Sequence, residues 1–299
     1  MKFLTFQKKD KESIGVLKEG RVWDLLKMGE LYHPDQPYPV DLSALICKYD
    51  SFRPIIGEDL VRGKAEGKEE VLTWSVEEIT IIAPIPKPRK NIMCVGKNYR
   101  DHAIEMGSEN DIPTDLLVFT KSPTSVIGPF HSVNLHEDVT SEVDYEGELA
   151  VVIGQEGKNI PLENALDFVF GYSILNDITA RDLQRKHKQF FIGKSLDTFC
   201  PLGPVIVTKD EIKHPDNLSI MTTVNDEVRQ SSNTEQLIFS ISEVIATLSK
   251  GMTLQPGDII AMGTPAGVGK GMKPPVFLKS GDSVTISIEG IGKLTNLMQ

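Results

Sequence analysis

Cysteine is scarce in this chain of 299 residues, with only Cys47, Cys94 and Cys200 present. Their number is odd, their spacing is wide, and no two form a Cys-x-x-Cys pair. This pattern argues against a disulfide framework and against a structural zinc site. Because none of the three stands in a recognisable setting with a histidine, we expect them to pack in the interior rather than to act as nucleophiles.

Long apolar runs are also missing. No stretch approaches the roughly 18 consecutive apolar residues of a membrane span. The first nine residues, Met1–Lys9, have neither a long apolar core nor a small-residue cleavage site, and therefore do not read as a signal peptide. We expect a cytoplasmic protein that makes no contact with a membrane.

The chain also lacks an excess of positive charge. The chain has 32 Lys and Arg against 42 Asp and Glu, a net charge of −10. A nucleic-acid-binding protein needs a basic face, so nucleic acid is not expected as a partner. A small anionic substrate remains compatible with this charge, because a metal ion and a few local cations can reverse the field inside one pocket.

What is present divides the chain into three parts: a small N-terminal domain at 1–83, a linker at 84–90 and a larger domain at 91–299. The linker is predicted from Pro84, Pro86 and Pro88, which cannot continue a helix or a central strand. The N-terminal part has short strand-like runs and two stretches compatible with helices, which together predict a small α+β unit.

The larger part is predicted to be mostly β-structure. Its candidate strands are Ile92–Gly96, Leu117–Thr120, Glu148–Ile153, Phe168–Asn176, Pro204–Thr208, Ser219–Val224, Asp258–Met262 and Ser283–Ile288. One helix is predicted clearly, because Ser240 and Glu243 form a capping box before an apolar pattern that ends at Gly251. The expected fold class is therefore mixed and β-rich (α+β).

Three carboxylates are the strongest functional signal. Glu146 and Glu148 are two residues apart and point to the same face of a strand, and Asp177 ends another apolar run. Carboxylate oxygens suit a hard cation such as Mg²⁺ or Mn²⁺. The alternative is that the two glutamates belong to a solvated strand face, which Asp144 and Glu142 would share.

A histidine and a carboxylate form a second candidate. If residues 100–106 are helical, His102 and Glu105 are neighbours at i and i+3. The carboxylate would then orient the imidazole and raise its basicity, as in a general acid/base dyad. An exposed helix face with a chance pair is the alternative.

Further candidates could bind an anion. Arg181 and Gln184 stand at i and i+3 after Asp177, where they could hold a carboxylate and a carbonyl oxygen. Asp177 could instead be a helix N-cap. Lys194 and Lys121 each follow an apolar run, and each could be a partly buried cation near a site or an ordinary surface lysine.

A glycine-rich segment, Gly263–Gly271, does not fit a nucleotide-binding motif. The spacing from its first glycine to Lys270 is one residue too long for a phosphate-binding loop, and Gly271 stands where Ser or Thr is needed. It also lacks the spacing and the following helix of a dinucleotide fingerprint. We interpret it as a backbone loop that lines a pocket.

Taken in their order along the chain, these clusters resemble the fumarylacetoacetate hydrolase family. The resemblance covers roughly residues 90–299, and residues 1–83 resemble the variable N-terminal region of bacterial members. The matching segments are Gly96–Tyr99 with His102 and Glu105, Phe119–Lys121, Asp144–Ala150, Asn176–Gln184, Gly193–Asp197, Gly263–Pro265 with Gly267–Gly269, and Ile288–Gly292.

The resemblance implies a β-sandwich roll, a homodimer, and Mg²⁺ or Mn²⁺ held by Glu146, Glu148 and Asp177. It implies that His102 and Glu105 form a catalytic dyad on a mobile lid. The residues that it places around the substrate are Lys121, Arg181, Gln184, Lys194 and Thr264, with Lys194 counted among the catalytic residues.

The implied substrate is a small anionic 2-oxo acid that reacts through a metal-stabilised enolate. Oxaloacetate decarboxylation to pyruvate and CO₂ is our first expectation, together with acylpyruvate hydrolysis. Isomerisation of a 2-hydroxyhepta-2,4-diene-1,7-dioate is an alternative that uses the same enolate. A non-catalytic binding protein on the same fold is an alternative of another class.

Overall fold

Three β-sheets carry most of the regular structure in a computed structural model, which describes residues 1–299. The strands are β1 Lys2–Lys8, β2 Lys11–Lys18, β3 Arg21–Asp24, β4 Thr73–Ser75, β5 Thr80–Ile82, β6 Ile92–Gly96, β7 Leu117–Lys121, β8 Val126–Ile127, β9 Val143–Asp144, β10 Gly147–Ile153, β11 Val169–Asn176, β12 Thr179–Ala180, β13 Cys200–Thr208, β14 Ser219–Val224, β15 Glu227–Asn233, β16 Ile259–Ala261, β17 Ser283–Ile288 and β18 Gly292–Leu297. The helices are α1 Leu25–Tyr32, α2 Leu42–Ile46, α3 Tyr49–Ala65, α4 Glu69–Leu72, α5 Arg100–Glu105, α6 Arg181–His187, α7 Phe191–Lys194 and α8 Ile241–Ser249.

The largest sheet has twelve strands, and its centre is built from β13, β11, β10, β16 and β6. A four-stranded sheet in the order β15-β14-β17-β18 packs against it through β10, β11 and β13. Leu149 and Ile174 from the large sheet share one hydrophobic core with Ile220 and Ile286 from the smaller sheet. This sandwich confirms the predicted β-rich α+β fold.

The N-terminal strands extend the same large sheet. β1 pairs with β2, β5 and β13, so the sheet continues from the N-terminal part into the rest of the chain. Residues 84–90 contain neither helix nor strand, and the Pro84 carbonyl accepts a hydrogen bond from Thr5 Oγ1 (2.7 Å). The division into 1–83, 84–90 and 91–299 stays a prediction.

Most of the strands predicted from sequence lie within two residues of their observed ends. The predicted capping box of α8 is also present, since Ser240 Oγ accepts from Glu243 N (3.2 Å) and Glu243 Oε2 accepts from Ser240 N (2.7 Å). The strands β15 and β18 were not predicted. No helix in the structure combines the length and the apolar character needed to cross a membrane.

A candidate metal centre in a basic cavity

Two neighbouring strands bring the three carboxylates together. β10 and β11 are antiparallel, and Gly147 pairs with Asn176. Glu146 and Asp177 therefore flank this pair on adjacent strands, and Asp177 N donates to the Glu146 carbonyl (2.8 Å). One carboxylate oxygen from each of Glu146, Glu148 and Asp177 lies within 4.8 Å of the others.

Burial separates these carboxylates from an ordinary polar strand face. Glu146, Glu148 and Asp177 are only 4%, 1% and 0% exposed, and Asp144 is 0% exposed. The alternative of a solvated face is therefore wrong. The alternative of an N-cap at Asp177 is also wrong, because α6 begins after Ala180 and has no side-chain cap.

Buried cations compensate part of this negative charge. Lys194 Nζ lies 2.6 Å from both Glu146 Oε2 and Asp177 Oδ2. Lys121 Nζ donates to the other Asp177 oxygen (2.7 Å) and to the Ile178 carbonyl (3.0 Å). Both lysines are almost completely buried, so neither is an ordinary surface lysine.

The negative charge that these cations leave uncompensated lies mainly on Glu148. Burial raises the pKa of the Glu148 carboxyl, and the nearby carboxylates of Asp177 and Glu146 raise it further. Burial also acts to raise the pKa of Glu146, but the adjacent Lys194 and Arg181 cations outweigh it and lower that pKa. The only hydrogen bond to the Glu148 side chain comes from Gly263 N (2.7 Å).

These residues fit a hard divalent cation. The donor set consists of carboxylate oxygens alone, which is the chemistry that Mg²⁺ and Mn²⁺ prefer. A cation bound to Glu146, Glu148 and Asp177 would also relieve the like-charge repulsion that raises the pKa of Glu148.

Asp144 holds the glycine-rich segment and Arg181 in fixed positions. Its Oδ1 accepts from Gly269 N (2.7 Å), and its Oδ2 accepts from Lys270 N (3.1 Å) and Arg181 Nε (2.8 Å). The Nη2 atom of the same Arg181 side chain lies 2.7 Å from Glu146 Oε1. Asp144 therefore ties the segment Gly263–Gly271 to the carboxylate cluster.

The predicted dyad forms on α5. His102 Nδ1 lies 3.3 Å from Glu105 Oε2, and the other Glu105 oxygen accepts from Gly267 N (2.9 Å). The His102 side chain is 7% exposed, so the alternative of an exposed chance pair is wrong. Glu105 thus connects the helix that carries His102 to the glycine-rich segment.

A cavity of about 320 Å³ opens beside the carboxylates. Among its lining residues are seven of the ten residues proposed from sequence: His102, Glu146, Glu148, Arg181, Gln184, Lys194 and Thr264. Glu105, Lys121 and Asp177 are not lining residues and lie behind the wall, where each contacts another site residue. The segment Gly263–Gly271 lines the cavity through Thr264 and Lys270, as interpreted from sequence.

Sequence reasoning missed several residues of this site. Asp144 was considered as part of a solvated face and as the first residue of the matching segment Asp144–Ala150, and no local signal identified its contacts. Arg185 and Lys188 extend the basic side of α6 into the cavity wall, and Lys270 reaches the cavity from the glycine-rich segment.

Comparison with known proteins decides the family. The family model described as "Fumarylacetoacetate (FAA) hydrolase C-terminal" matches residues 91–299. The chain belongs to the fumarylacetoacetate hydrolase family. It is 52% identical, over 99% of both chains, to a protein of Bacillus subtilis strain 168 named oxaloacetate tautomerase YisK.

Solved structures of family members cover the whole chain. A fumarylacetoacetate hydrolase from Exiguobacterium antarcticum is 41% identical with a TM-score of 0.83, covering 100% of this chain and 99% of its own. A maleylpyruvate hydrolase from Sphingobium sp. SYK-6, solved with manganese(II) and pyruvate, is 31% identical with a TM-score of 0.78, covering 100% and 98%. Membership in this family makes the protein an enzyme.

Proposed function

We propose that this enzyme converts oxaloacetate between its enol and keto forms, with a divalent cation bound by Glu146, Glu148 and Asp177. The observation that carries the proposal is the convergence of these three buried carboxylates within 4.8 Å, beside a basic cavity of about 320 Å³. Similarity over nearly the full length to a protein named oxaloacetate tautomerase supports this choice of reaction.

Mg²⁺ or Mn²⁺ would supply Lewis acidity that stabilises an enolate. The Sphingobium neighbour was solved in complex with manganese(II) and pyruvate, which supports a divalent cation and a 2-oxo acid as ligands of this enzyme. In this chain, Lys194 and Lys121 hold the Asp177 carboxylate, and Gly263 N holds that of Glu148. The ligand set is therefore oriented by neighbouring groups.

The His102–Glu105 pair can move the proton. Glu105 contacts the ring at Nδ1, which favours the tautomer that leaves the Nε2 lone pair free. His102 lines the cavity, so its Nε2 can take a proton from C3 of oxaloacetate and give it to the C2 oxygen, which forms the enol. In the other direction it takes the hydroxyl proton of the enol and returns it to C3. Glu105 keeps the ring oriented through its own hydrogen bond from Gly267 N.

Cationic and polar side chains can hold the substrate. Arg181 is fixed by Asp144, and its Nη1 lies 3.4 Å from Gln184 Oε1. Thr264 is fixed by the Gly147 carbonyl (3.0 Å) and by Gln230 (2.7 Å). The roles of Arg181, Gln184, Thr264 and Lys194 in substrate binding, and that of Lys121 behind Asp177, stay predictions.

Cleavage reactions remain the second candidates. Oxaloacetate decarboxylation, our first expectation from sequence, instead breaks the C3–C4 bond of the keto form and leaves the enolate of pyruvate, which must then be protonated. Acylpyruvate hydrolysis is supported by the similarity to a maleylpyruvate hydrolase. Tautomerisation comes first because the relative with that name is 52% identical, compared with 31% for the hydrolase.

The reactions can be separated in one set of assays with Mn²⁺. Decay of enol-oxaloacetate is followed by its ultraviolet absorbance, while pyruvate release is measured from oxaloacetate and from acetylpyruvate. We expect fast decay of the enol without matching pyruvate release, and loss of that rate in Glu148→Gln. Rapid pyruvate release with no acceleration of enol decay would replace tautomerisation with a cleavage reaction.

A further inference from the structure

The cavity wall carries more positive charge than its own carboxylates can neutralise. Among the lining residues, only Glu146 and Glu148 are acidic. The basic lining residues are Lys97, Arg181, Arg185, Lys188, Lys194 and Lys270. In a protein with a net charge of −10, this local excess favours a ligand with more than one negative charge.

Two of these six cations have no carboxylate partner. The other four each contact a carboxylate at 3.4 Å or less. Lys188 and Lys270 make no ion pair, although both line the cavity. Lys188 is exposed at the end of α6, whereas Lys270 is half-buried at the end of the glycine-rich segment. Lys270 is therefore the better placed of the two to bind an anion, because burial strengthens the electrostatic attraction between them.

The carboxylates nearest to Lys270 are already engaged. Both Glu142 oxygens accept from Arg185, at 2.6 and 2.8 Å. Asp144 accepts from Arg181 and from backbone N–H groups that include that of Lys270 itself. Burial, with the Arg181 and Arg185 charges close by, lowers the pKa of Lys270. A bound anion would offset this unfavourable surrounding.

We propose that Lys270, assisted by Lys188, binds the distal carboxylate of the substrate and makes the site selective for 2-oxo dicarboxylates over 2-oxo monocarboxylates. This inference rests on the proposed function, which places the 2-oxo acid end of the substrate at Glu146, Glu148 and Asp177. The unpaired lysines define a second anion position in the same cavity. Through Lys270, the glycine-rich segment takes part in substrate recognition.

The test compares two substrates that differ only at the distal end. Oxaloacetate has a carboxylate where 2-oxobutanoate has a methyl group, and both can exchange a C3 proton for deuterium, which is followed by NMR with Mg²⁺. We expect Lys270→Met to lower the ratio of kcat/KM for oxaloacetate to that for 2-oxobutanoate about tenfold, the loss expected for one hydrogen bond to a charged group. Lys188→Met should lower the ratio less.

Lys273→Met is the matched control, because Lys273 is exposed two residues after the glycine-rich segment and does not line the cavity. It should leave the ratio unchanged. If Lys270→Met lowers both kcat/KM values equally, or neither, Lys270 does not recognise the distal carboxylate and the proposal is overturned.

A binding measurement separates this proposal from the proposed function. Malate and 2-hydroxybutanoate differ at the distal end in the same way, but each has a hydroxyl in place of the keto group and so cannot enolise. Calorimetry with Mg²⁺ gives their affinities. If wild type fails to exchange either 2-oxo acid but prefers malate, and Lys270→Met removes the preference, the function fails while the anion subsite stands. If the preference for malate over 2-hydroxybutanoate is the same in wild type and in Lys270→Met, the subsite is rejected whatever the catalytic result.

Discussion

At the scale of single residues, the Glu105 carboxylate connects His102 to the glycine-rich segment. It contacts His102 on one side and accepts from Gly267 N on the other. Gly271 lies directly against it, since a Cβ added at Gly271 would be 2.3 Å from the Glu105 carboxylate. The absence of a side chain at Gly271 is therefore what lets the carboxylate occupy its place.

Gly271→Ala should reduce catalysis more than stability. The added methyl group would push the flexible end of Glu105 away from His102, and a general base that is no longer held in position typically costs at least about tenfold in kcat. Tautomerisation kinetics and thermal unfolding check this together. Gly57→Ala is the control, because nothing lies within 4 Å of its added Cβ. An unchanged kcat in Gly271→Ala would show that the Glu105 position does not matter.

The residues of the site were predicted from sequence to an uneven extent. Glu146, Glu148, Asp177 and His102 stand in local patterns that indicated a metal site and a dyad, each beside an open alternative, and the family resemblance favoured these two interpretations. Asp144 could not be assigned a role in this way, because its partners Gly269 and Lys270 are more than 120 residues away along the chain. Contacts at such separation depend on the assembled sheet, which spacing does not reveal.

At the scale of elements, strand prediction succeeded where burial imposes an apolar pattern. All seven residues of β10 and all eight of β11 are buried, and both strands were predicted. β15 forms the edge of the smaller sheet and has one buried residue among seven, so its sequence, Glu227–Asn233, shows no apolar alternation. β18 is equally polar, with two buried residues among six.

The capping box of α8 gives a prediction at this scale. Ser240→Ala removes the hydroxyl that accepts from Glu243 N, which typically costs about 1 kcal/mol. We expect a fall in the melting temperature of roughly 2 °C, with unchanged kcat, because neither Ser240 nor Glu243 lines the cavity. Circular dichroism measures the first and the enol-decay assay the second.

Ser280→Ala is the control for this variant, because Ser280 is exposed and makes no side-chain hydrogen bond. A melting temperature that falls equally in both variants would contradict the capping assignment.

At the scale of the whole molecule, one large sheet aligns parts that are distant in the sequence. β10 and β11 present the carboxylates at one end of these two central strands, and β16 leads into the segment that holds Glu148 and Asp144. The N-terminal strands join the same sheet, which sequence patterns did not indicate. The predicted homodimer and the cytoplasmic location stay predictions, since a single chain tests neither.

The central claim is that Glu146, Glu148 and Asp177 hold one divalent cation on which the reaction depends. The most direct measurement is the rate of enol-oxaloacetate decay as Mn²⁺ is added to protein first treated with a chelator. We predict that the rate rises until one Mn²⁺ is bound per chain, and that Glu148→Gln neither binds that ion tightly nor gains activity. Full activity in the chelator-treated protein would contradict the account.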